Sequence, residues 1–173
     1  MKISNAVQYL TPAAGSLSFR SLSADEIEGL LRLFYLGFPF DERRARFGGA
    51  VSDGSIARYC RELPRREVVV IGCLAPDGLV AVAELHPYGD CMELALAGRD
   101  TIDTITIYGH VLQLAAFEAG RRGCRNLVMN LELARAEALD LVRGMGHMCV
   151  QDETATVQLG DYARLHALSL AQH

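Results

Sequence analysis

Three apolar segments in the middle of the chain, separated by short turn sequences, are the feature that most constrains the fold. Residues 67–75 are β-branched and apolar, and the turn sequence Pro-Asp-Gly at 76–78 follows them. Residues 79–85 resume the apolar pattern, and residues 91–97 repeat it after Pro-Tyr-Gly-Asp at 87–90. Segments joined by turns this short pair antiparallel. The sequence therefore predicts a meander of three consecutive strands.

Helical signals come before the meander. A short strand is predicted at 17–22, and Ser23 with Glu26 forms a capping box that starts a helix. Residues 41–47 predict a short helix, and Ser52 or Asp53 caps another that ends near residue 63. After the meander the elements alternate. The pattern predicts a helix at 111–120, a strand at 126–131, a helix at 134–142, and strands at 147–151 and 154–159.

Length and composition indicate one domain. The chain has 173 residues, half of them hydrophobic, which is enough for a substantial core. We assign a lead-in at 1–15, a domain at 16–160 and a C-terminal tail at 161–173. A net charge of −4 argues against a nucleic acid or an anionic membrane as partner. The apolar runs are too short to span a bilayer, and residues 1–11 lack the apolar stretch of a secretory signal. We therefore expect a cytoplasmic protein.

Metal and nucleophile signatures are weak. The five cysteines are scattered singly, and the five histidines lack the i, i+4 spacing of a helical metal site. We predict no bound metal. A catalytic triad of residues that are distant in sequence remains an alternative, although no nucleophile-elbow sequence supports one.

Several strings in the chain, in this order and at these separations, resemble one enzyme family. The strings are ERRARFGG (42–49), SDGSIARY (52–59), PDGLVAVAEL (76–85), MELALAGRD (92–100), LQLAAFEAGRRGCRNLVMNL (112–131) and ALDLVRGMGH (138–147). Together with the order of elements they are similar to the GNAT superfamily of N-acetyltransferases, and most similar to bacterial GNAT domains of the protein-lysine acyltransferase kind. The resemblance covers residues 18–160.

The resemblance implies a fold and an activity. The fold is α/β (α+β), with a mixed, mostly antiparallel central sheet of about seven strands flanked by helices. The activity is direct transfer of an acetyl group from acetyl-CoA to a primary amine on a small molecule or a protein lysine. A homodimer is expected.

The same resemblance implies site residues. Glu93 matches the acid of the family's central strand and is the candidate general base, since the acceptor ammonium must lose a proton before it attacks. Glu84, on the adjacent strand, is an alternative or partner, unless it is simply a solvated strand carboxylate. The cofactor is expected along two stretches: Leu94, Ala95, Leu96 and Ala97, and then Thr104, Ile105, Thr106, Ile107, Tyr108 and Gly109.

The chain departs from the family at the loop that holds the diphosphate. The family has Q/R-x-x-G-x-G/A there, whereas residues 103–108 contain no glycine and no basic residue. The Asp103 carboxylate would repel a diphosphate and compete for the helix N-terminus. Alternating Thr and Ile at 101–107 predict a strand when taken alone. A loop shifted toward 107–109 is a further alternative.

A second departure concerns the general acid. Val142 occupies the position of the family's tyrosine, and Arg135 that of its asparagine. These losses favour a rival hypothesis, a non-catalytic domain that senses a ligand or binds a partner. A third hypothesis is a longer or different acyl chain. Arg43, Arg44 and Arg46 are predicted to form a solvated helix face, and Arg99 an exposed end of a strand.

Overall fold

A computed structural model describes residues 17–49, 51–99 and 104–159, and for Thr104 the backbone only. The strands are β1 (Ser18–Ser21), β2 (Val69–Ala75), β3 (Gly78–Tyr88), β4 (Cys91–Gly98), β5 (Asn126–Asn130), β6 (His147–Gln151) and β7 (Thr154–Gln158). The helices are α1 (Ala24–Glu26), a π-helical turn (Ile27–Leu31), α2 (Arg32–Leu36), α3 (Phe40–Phe47), α4 (Asp53–Glu62), a 3-10 turn (Leu63–Arg66), α5 (Thr104–Arg121) and α6 (Ala136–Arg143).

One sheet contains all seven strands of the described ranges, in the order β1-β2-β3-β4-β5-β7-β6. Its neighbouring strands pair antiparallel except β4 and β5, which are parallel. The predicted meander is β2-β3-β4, and β3 is longer than predicted because Pro87 and Tyr88 continue the strand. The expected fold, a mixed and mostly antiparallel sheet with helices around it, is confirmed.

Helices cover both faces of the sheet, and each face has its own core. On one face α5 packs against β1 to β4, with Tyr108, Leu112 and Ala115 fully buried. On the other face α1 to α4 enclose a second core around Phe34, Tyr35 and Ile56. Because apolar side chains on both faces of the sheet are removed from water, residues 69–73 of β2 and residues 81–85 of β3 are all buried.

The helix starts before the meander follow the predicted capping chemistry. The Ser23 side chain accepts a hydrogen bond from the Glu26 amide, while the Glu26 carboxylate accepts one from the Ser23 amide. The Ser52 hydroxyl caps α4 by accepting from the Ser55 amide. These bonds satisfy donors that a helix N-terminus otherwise leaves unpaired. Both predicted caps are confirmed.

The segment after β4 differs from its prediction. The helix expected at 111–120 begins seven residues earlier, at Thr104, and continues to Arg121. The strand alternative is therefore wrong for residues 104–107, because β4 has already ended and these residues form the first turn of α5. Residues 101–103, including Asp103, lie outside the described residues, as do the lead-in and the tail. In the part of the chain that is described, no helix is both long and apolar enough to cross a bilayer.

The close contact between β4 and α5 depends on Gly98. A Cβ placed on Gly98 would lie 2.5 Å from Tyr108 Cε1 and 2.6 Å from the Tyr108 hydroxyl. We expect Gly98→Ala to lower the free energy of unfolding by roughly 1–3 kcal/mol, because Tyr108 is buried and has no room to move.

Gly109 is the control, since a Cβ there meets nothing within 4 Å. Gly109→Ala should raise stability by up to about 1 kcal/mol through helix propensity. Urea denaturation of both variants measures the difference, and equal effects would contradict the steric argument.

Candidate active site

Strands β4 and β5 separate shortly after they begin to pair. Their parallel register contains only Met92 with Leu127 and Glu93 with Val128, although β4 continues to Gly98. The other edge of β4 remains paired with β3 along its whole length. The edge of residues 94–98 that faces β5 therefore has no strand partner in the described structure. Backbone groups on such an edge remain available to a ligand.

A cavity of about 160 Å³ lies in the opening between the two strands. Its walls come from β4, from the end of β5 and the loop after it, and from side chains of α3, α4 and β3. The lining side chains that carry polar groups are Arg46, Tyr59, His86, Glu93 and Asn130. The remaining lining residues are apolar, so a few polar groups converge in a mostly apolar site, as is usual for a small-molecule site.

Glu93, the candidate general base, lines this cavity. It is half-buried on β4, on the sheet face that carries α1 to α4, and it stands directly opposite His86 of β3. Among the described residues its carboxylate has no hydrogen-bond or ion-pair partner. A half-buried carboxylate that no protein group neutralises can attract and deprotonate a bound ammonium.

Glu84 has a different environment. Its side chain is 0% exposed and both oxygens are occupied. The Tyr35 hydroxyl donates to Oε1, and the Tyr59 hydroxyl donates to Oε2. Arg46 Nη2 also donates to Oε2 at 3.0 Å, and His86 Nε2 lies 2.9 Å from the same oxygen. We call these five residues the Glu84 cluster. The interpretation of Glu84 as a solvated strand carboxylate is wrong, and the surrounding donors leave it no free contact with a substrate.

The electrostatics of the Glu84 cluster favour an ionised carboxylate. Burial by itself raises the pKa of Glu84, but the Arg46 charge and the hydrogen bonds from His86, Tyr35 and Tyr59 outweigh it and lower the pKa to about 2. Burial, reinforced by the negative charge of Glu84, raises the pKa of Tyr59 well above its ordinary value. Glu84 is thus an anion and Tyr59 a neutral donor at physiological pH.

Arg46 contradicts the prediction that the arginines of α3 form a solvated face. Its side chain is only 12% exposed and binds Glu84, and its guanidinium lies 5.1 Å from the Phe47 ring centroid and 5.6 Å from that of Tyr35. Arg43 is also largely buried and donates to the carbonyls of Leu36 and Phe38. Only Arg44 is exposed as expected. Cation–π contacts and one ion pair offset the desolvation of the Arg46 charge.

A second cavity, of about 340 Å³, adjoins the first and extends toward the end of β4. The two cavities share Arg46, Leu96 and Leu133. Of the predicted cofactor residues, Leu94, Ala95 and Leu96 line the first cavity, and Leu96 and Ala97 line the second. Residues 94–97, the first stretch predicted to bind the cofactor, therefore all border one or both cavities.

Residues 104–109, the second stretch predicted to bind the cofactor, form the start of α5 rather than a loop. Ile105 and Thr106 are exposed in the first turn of α5, whereas Ile107 and Tyr108 are buried in the core and Gly109 lies inside the helix. A loop shifted toward 107–109 is therefore wrong. The first turn of α5 contains no acidic residue, and its backbone amides can bind an anion.

Three further positions were singled out by the sequence. Val142, where the resemblance expects a tyrosine, is fully buried in the core, and Arg135 is the N-cap residue of α6. Arg99 is exposed as predicted, with its guanidinium 5.8 Å from the Phe34 ring centroid. Within the described ranges no three His, Cys, Asp or Glu side chains are grouped as metal ligands.

The Glu84 cluster was missed by sequence reasoning, although one signal was available. Glu84 is the single charged residue in the apolar segment 79–85. A charge in a strand whose neighbours are all apolar implies burial, and a buried carboxylate requires donors. The identity of those donors was not accessible, because Tyr35, Arg46 and Tyr59 lie on three separate helices far away in sequence.

Comparison with known proteins supports the fold alone. No family model matches the sequence, and no curated protein matches it. Among solved structures, the GNAT domain of S. lividans PAT is similar with a TM-score of 0.64 and 18% identity, over 83% of this chain and 89% of that one.

Two further similar structures contain a coenzyme. A GNAT superfamily phosphinothricin acetyltransferase from Sinorhizobium meliloti in complex with acetyl-CoA has a TM-score of 0.59 and 12% identity, over 84% of this chain and 89% of that one. The PaiA N-acetyltransferase from Thermoplasma acidophilum in complex with coenzyme A has a TM-score of 0.56 and 15% identity, over 83% and 99%. The chain therefore has the GNAT fold. The closer resemblance to lysine acyltransferases stays a prediction.

Proposed function

We propose that this protein is an N-acetyltransferase that moves an acetyl group from acetyl-CoA to a primary amine. The observation that carries the proposal is the unpaired Glu93 carboxylate in the cavity where β4 and β5 separate. Similar GNAT structures that contain acetyl-CoA or coenzyme A support the choice of donor. The acceptor is a small-molecule amine or a protein lysine.

The residues of the opening fit a coenzyme A arm. An extended arm with amide groups can pair with the free edge of residues 94–97 as an additional strand would. The exposed first turn of α5 offers amides for a phosphate group, although residues 103–108 lack the glycines that permit the closest backbone approach. When bound, acetyl-CoA supplies an acyl thioester, whose carbonyl a backbone N–H of β4 can polarise.

Glu93 has two tasks in this proposal. Its negative charge attracts the acceptor ammonium into the cavity, and it takes up the proton that the nitrogen must lose before attack. Direct attack in a ternary complex requires both substrates to be held together, and the adjoining cavities provide the space for this. Because Val142 is buried and apolar, it cannot give the leaving thiolate its proton.

Ligand binding tests the donor assignment. We expect acetyl-CoA to bind with a calorimetrically measurable Kd and to raise the melting temperature, corresponding to about 2.7 kcal/mol of stabilisation at one hundred times Kd. ADP is the matched control because it has the diphosphate but lacks the arm that would occupy the opening, so it should bind more weakly. No heat and no thermal shift with millimolar acetyl-CoA would exclude the proposed function.

A non-catalytic ligand-binding domain is the second candidate. The buried Val142 and the absence of glycine at 103–108 favour it. The first departure removes the general acid that the resemblance implies, and the second removes the glycines that let the backbone approach a diphosphate closely. One experiment distinguishes the acetyltransferase from the non-catalytic domain. Acetyl-CoA binding without acetylation of any amine in a broad panel would support the ligand sensor.

A further inference from the structure

His86 belongs to the Glu84 cluster and also lines the cavity. Its Nε2 atom lies 2.9 Å from Glu84 Oε2. Since Glu84 has a pKa of about 2, its carboxylate is ionised at neutral pH and can only accept hydrogen bonds. The hydrogen between these two atoms therefore belongs to His86 Nε2.

This contact determines the tautomer of the neutral ring. An imidazole with its hydrogen on Nε2 has an unprotonated Nδ1, whose lone pair is basic. In the described part of the chain Nδ1 has no hydrogen-bond partner, and the side chain is 24% exposed. The ring thus has one nitrogen fixed inside the protein and a second nitrogen that can accept a proton.

His86 and Glu93 occupy directly opposite positions on β3 and β4. The Cβ atoms of such residues are about 4.5–5.5 Å apart. Because the Glu93 carboxylate has no direct hydrogen bond or ion pair with the His86 ring, a proton can pass between the two side chains through one bridging water molecule. In water an imidazole holds a proton more firmly than a carboxylate does. A neutral imidazole opposite Glu93 can accept a proton that Glu93 has taken up.

We propose that His86 Nδ1 is the terminal acceptor of the proton that the amine loses, with Glu93 as the first acceptor and Glu84 as the residue that fixes and stabilises the imidazolium. This inference rests on the proposed acetyl transfer. One proton passes from the ammonium to Glu93 and then to Nδ1. The amine lone pair forms the C–N bond as the C–S bond breaks, and the second nitrogen proton ends on the thiolate sulfur. The exposed edge of the ring returns the first proton to solvent.

The groups around His86 suit this role. The Glu84 anion stabilises an imidazolium, whereas Arg46 opposes it but is already paired with Glu84. The titratable and charged groups around His86 come from five elements. Glu84 on β3 and Tyr59 on α4 contact the ring, and Glu93 on β4 lies opposite it. Tyr35 on α2 and Arg46 on α3 contact Glu84.

The decisive variant is His86→Gln. A glutamine amide can still donate to Glu84 in place of Nε2–H, but it cannot accept a proton. The matched control is His147→Gln, because His147 is exposed on β6, away from the cavity. The probes are n-butylamine and Nα-acetyl-lysine methyl ester with acetyl-CoA. We expect His86→Gln to lower kcat on the order of 10²-fold and to shift the acidic limb of the kcat/KM profile against pH, because Glu93 remains as a proton acceptor. The Kd for acetyl-CoA and the activity of His147→Gln should remain those of the wild type.

A second measurement does not depend on turnover. Long-range proton–nitrogen NMR spectra of the wild type at neutral pH should show His86 with its hydrogen on Nε2, and acidification should add a proton at Nδ1. A ring with its hydrogen on Nδ1 would overturn the assignment in an active or an inactive protein. Wild-type kcat and an unchanged pH profile in His86→Gln would overturn it while leaving acetyl transfer intact. A wild type that binds no acetyl-CoA would overturn both.

Discussion

Glu93→Gln is expected to lower kcat/KM for acetylation of a primary amine by about 10²- to 10⁴-fold, the usual contribution of a general base. Glutamine has nearly the same shape as glutamate but neither its charge nor its ability to take up a proton. The variant should keep the Kd of the wild type for acetyl-CoA, because the coenzyme is proposed to bind the backbone of residues 94–97. Steady-state kinetics and calorimetry measure the two quantities.

The matched control for this prediction is Glu153→Gln, the same substitution at an exposed position between β6 and β7. It should retain full activity. The deficit of Glu93→Gln should shrink as the pH is raised, because a larger fraction of the amine is then already neutral. Wild-type turnover in Glu93→Gln at neutral pH would show that Glu93 is not the base.

The sequence predicted the elements of the fold well because local rules determine them. The two helix caps required only the side chains at Ser23 and Ser52 and the residues just after them. The meander required only apolar segments and short turns. The order of elements, joined to a family resemblance, then predicted the sheet. Each of these signals lies within a few residues of the structure that it specifies.

The predictions for residues 104–107 and for Arg46 were wrong because tertiary packing outweighed a local sequence pattern. Residues 101–107 alternate as a strand does, yet residues 104–107 start α5, because burial of Ile107 and Tyr108 on the sheet outweighs the weak period-two signal. Arg46 has the sequence pattern of a solvated helix residue, but its side chain is buried because it pairs with the buried carboxylate of Glu84, which lies 38 positions away on β3. The sequence near Glu84 indicates a buried carboxylate, but nothing in the sequence near Arg46 identifies Arg46 as its partner.

The candidate site was predicted in part. Glu93 and residues 94–97, which the resemblance singled out, border the cavities, and their roles as base and cofactor-binding residues stay predictions. The Glu84 cluster could not be predicted, because it combines residues from α2, α3, α4 and β3 through side-chain contacts alone. Secondary-structure periodicity indicates which face a residue occupies, but not which side chains meet on that face.

Glu84→Gln should cause the largest loss of stability, about 3 kcal/mol, since it leaves the Arg46 charge buried without its counter-ion. Glu62→Gln is the control, because the Glu62–Arg66 pair is exposed and contributes about 0–1 kcal/mol. Adding Arg46→Met to Glu84→Gln should recover part of the loss, since the double variant buries no unpaired charge. Urea denaturation measures these three variants and the single variant Arg46→Met. A double variant as unstable as the sum of both single changes would show that the charge pair is not the cause.

The difference between wild type and Glu84→Gln should also depend on pH. The pKa of Glu84 is about 2 in the folded protein and about 4.3 in an unfolded chain, so its contribution to stability is complete above about pH 5 and is lost as the pH falls toward 2. A protonated Glu84 and a glutamine are both neutral and of similar shape. The unfolding free energies of the two proteins should therefore converge between pH 5 and pH 2. Glu26, whose pKa the Arg20 hydrogen bonds also lower to about 2, contributes equally to both proteins and cancels in the difference. A difference that stays constant down to pH 2 would mean that the effect comes from packing rather than from the Glu84 charge.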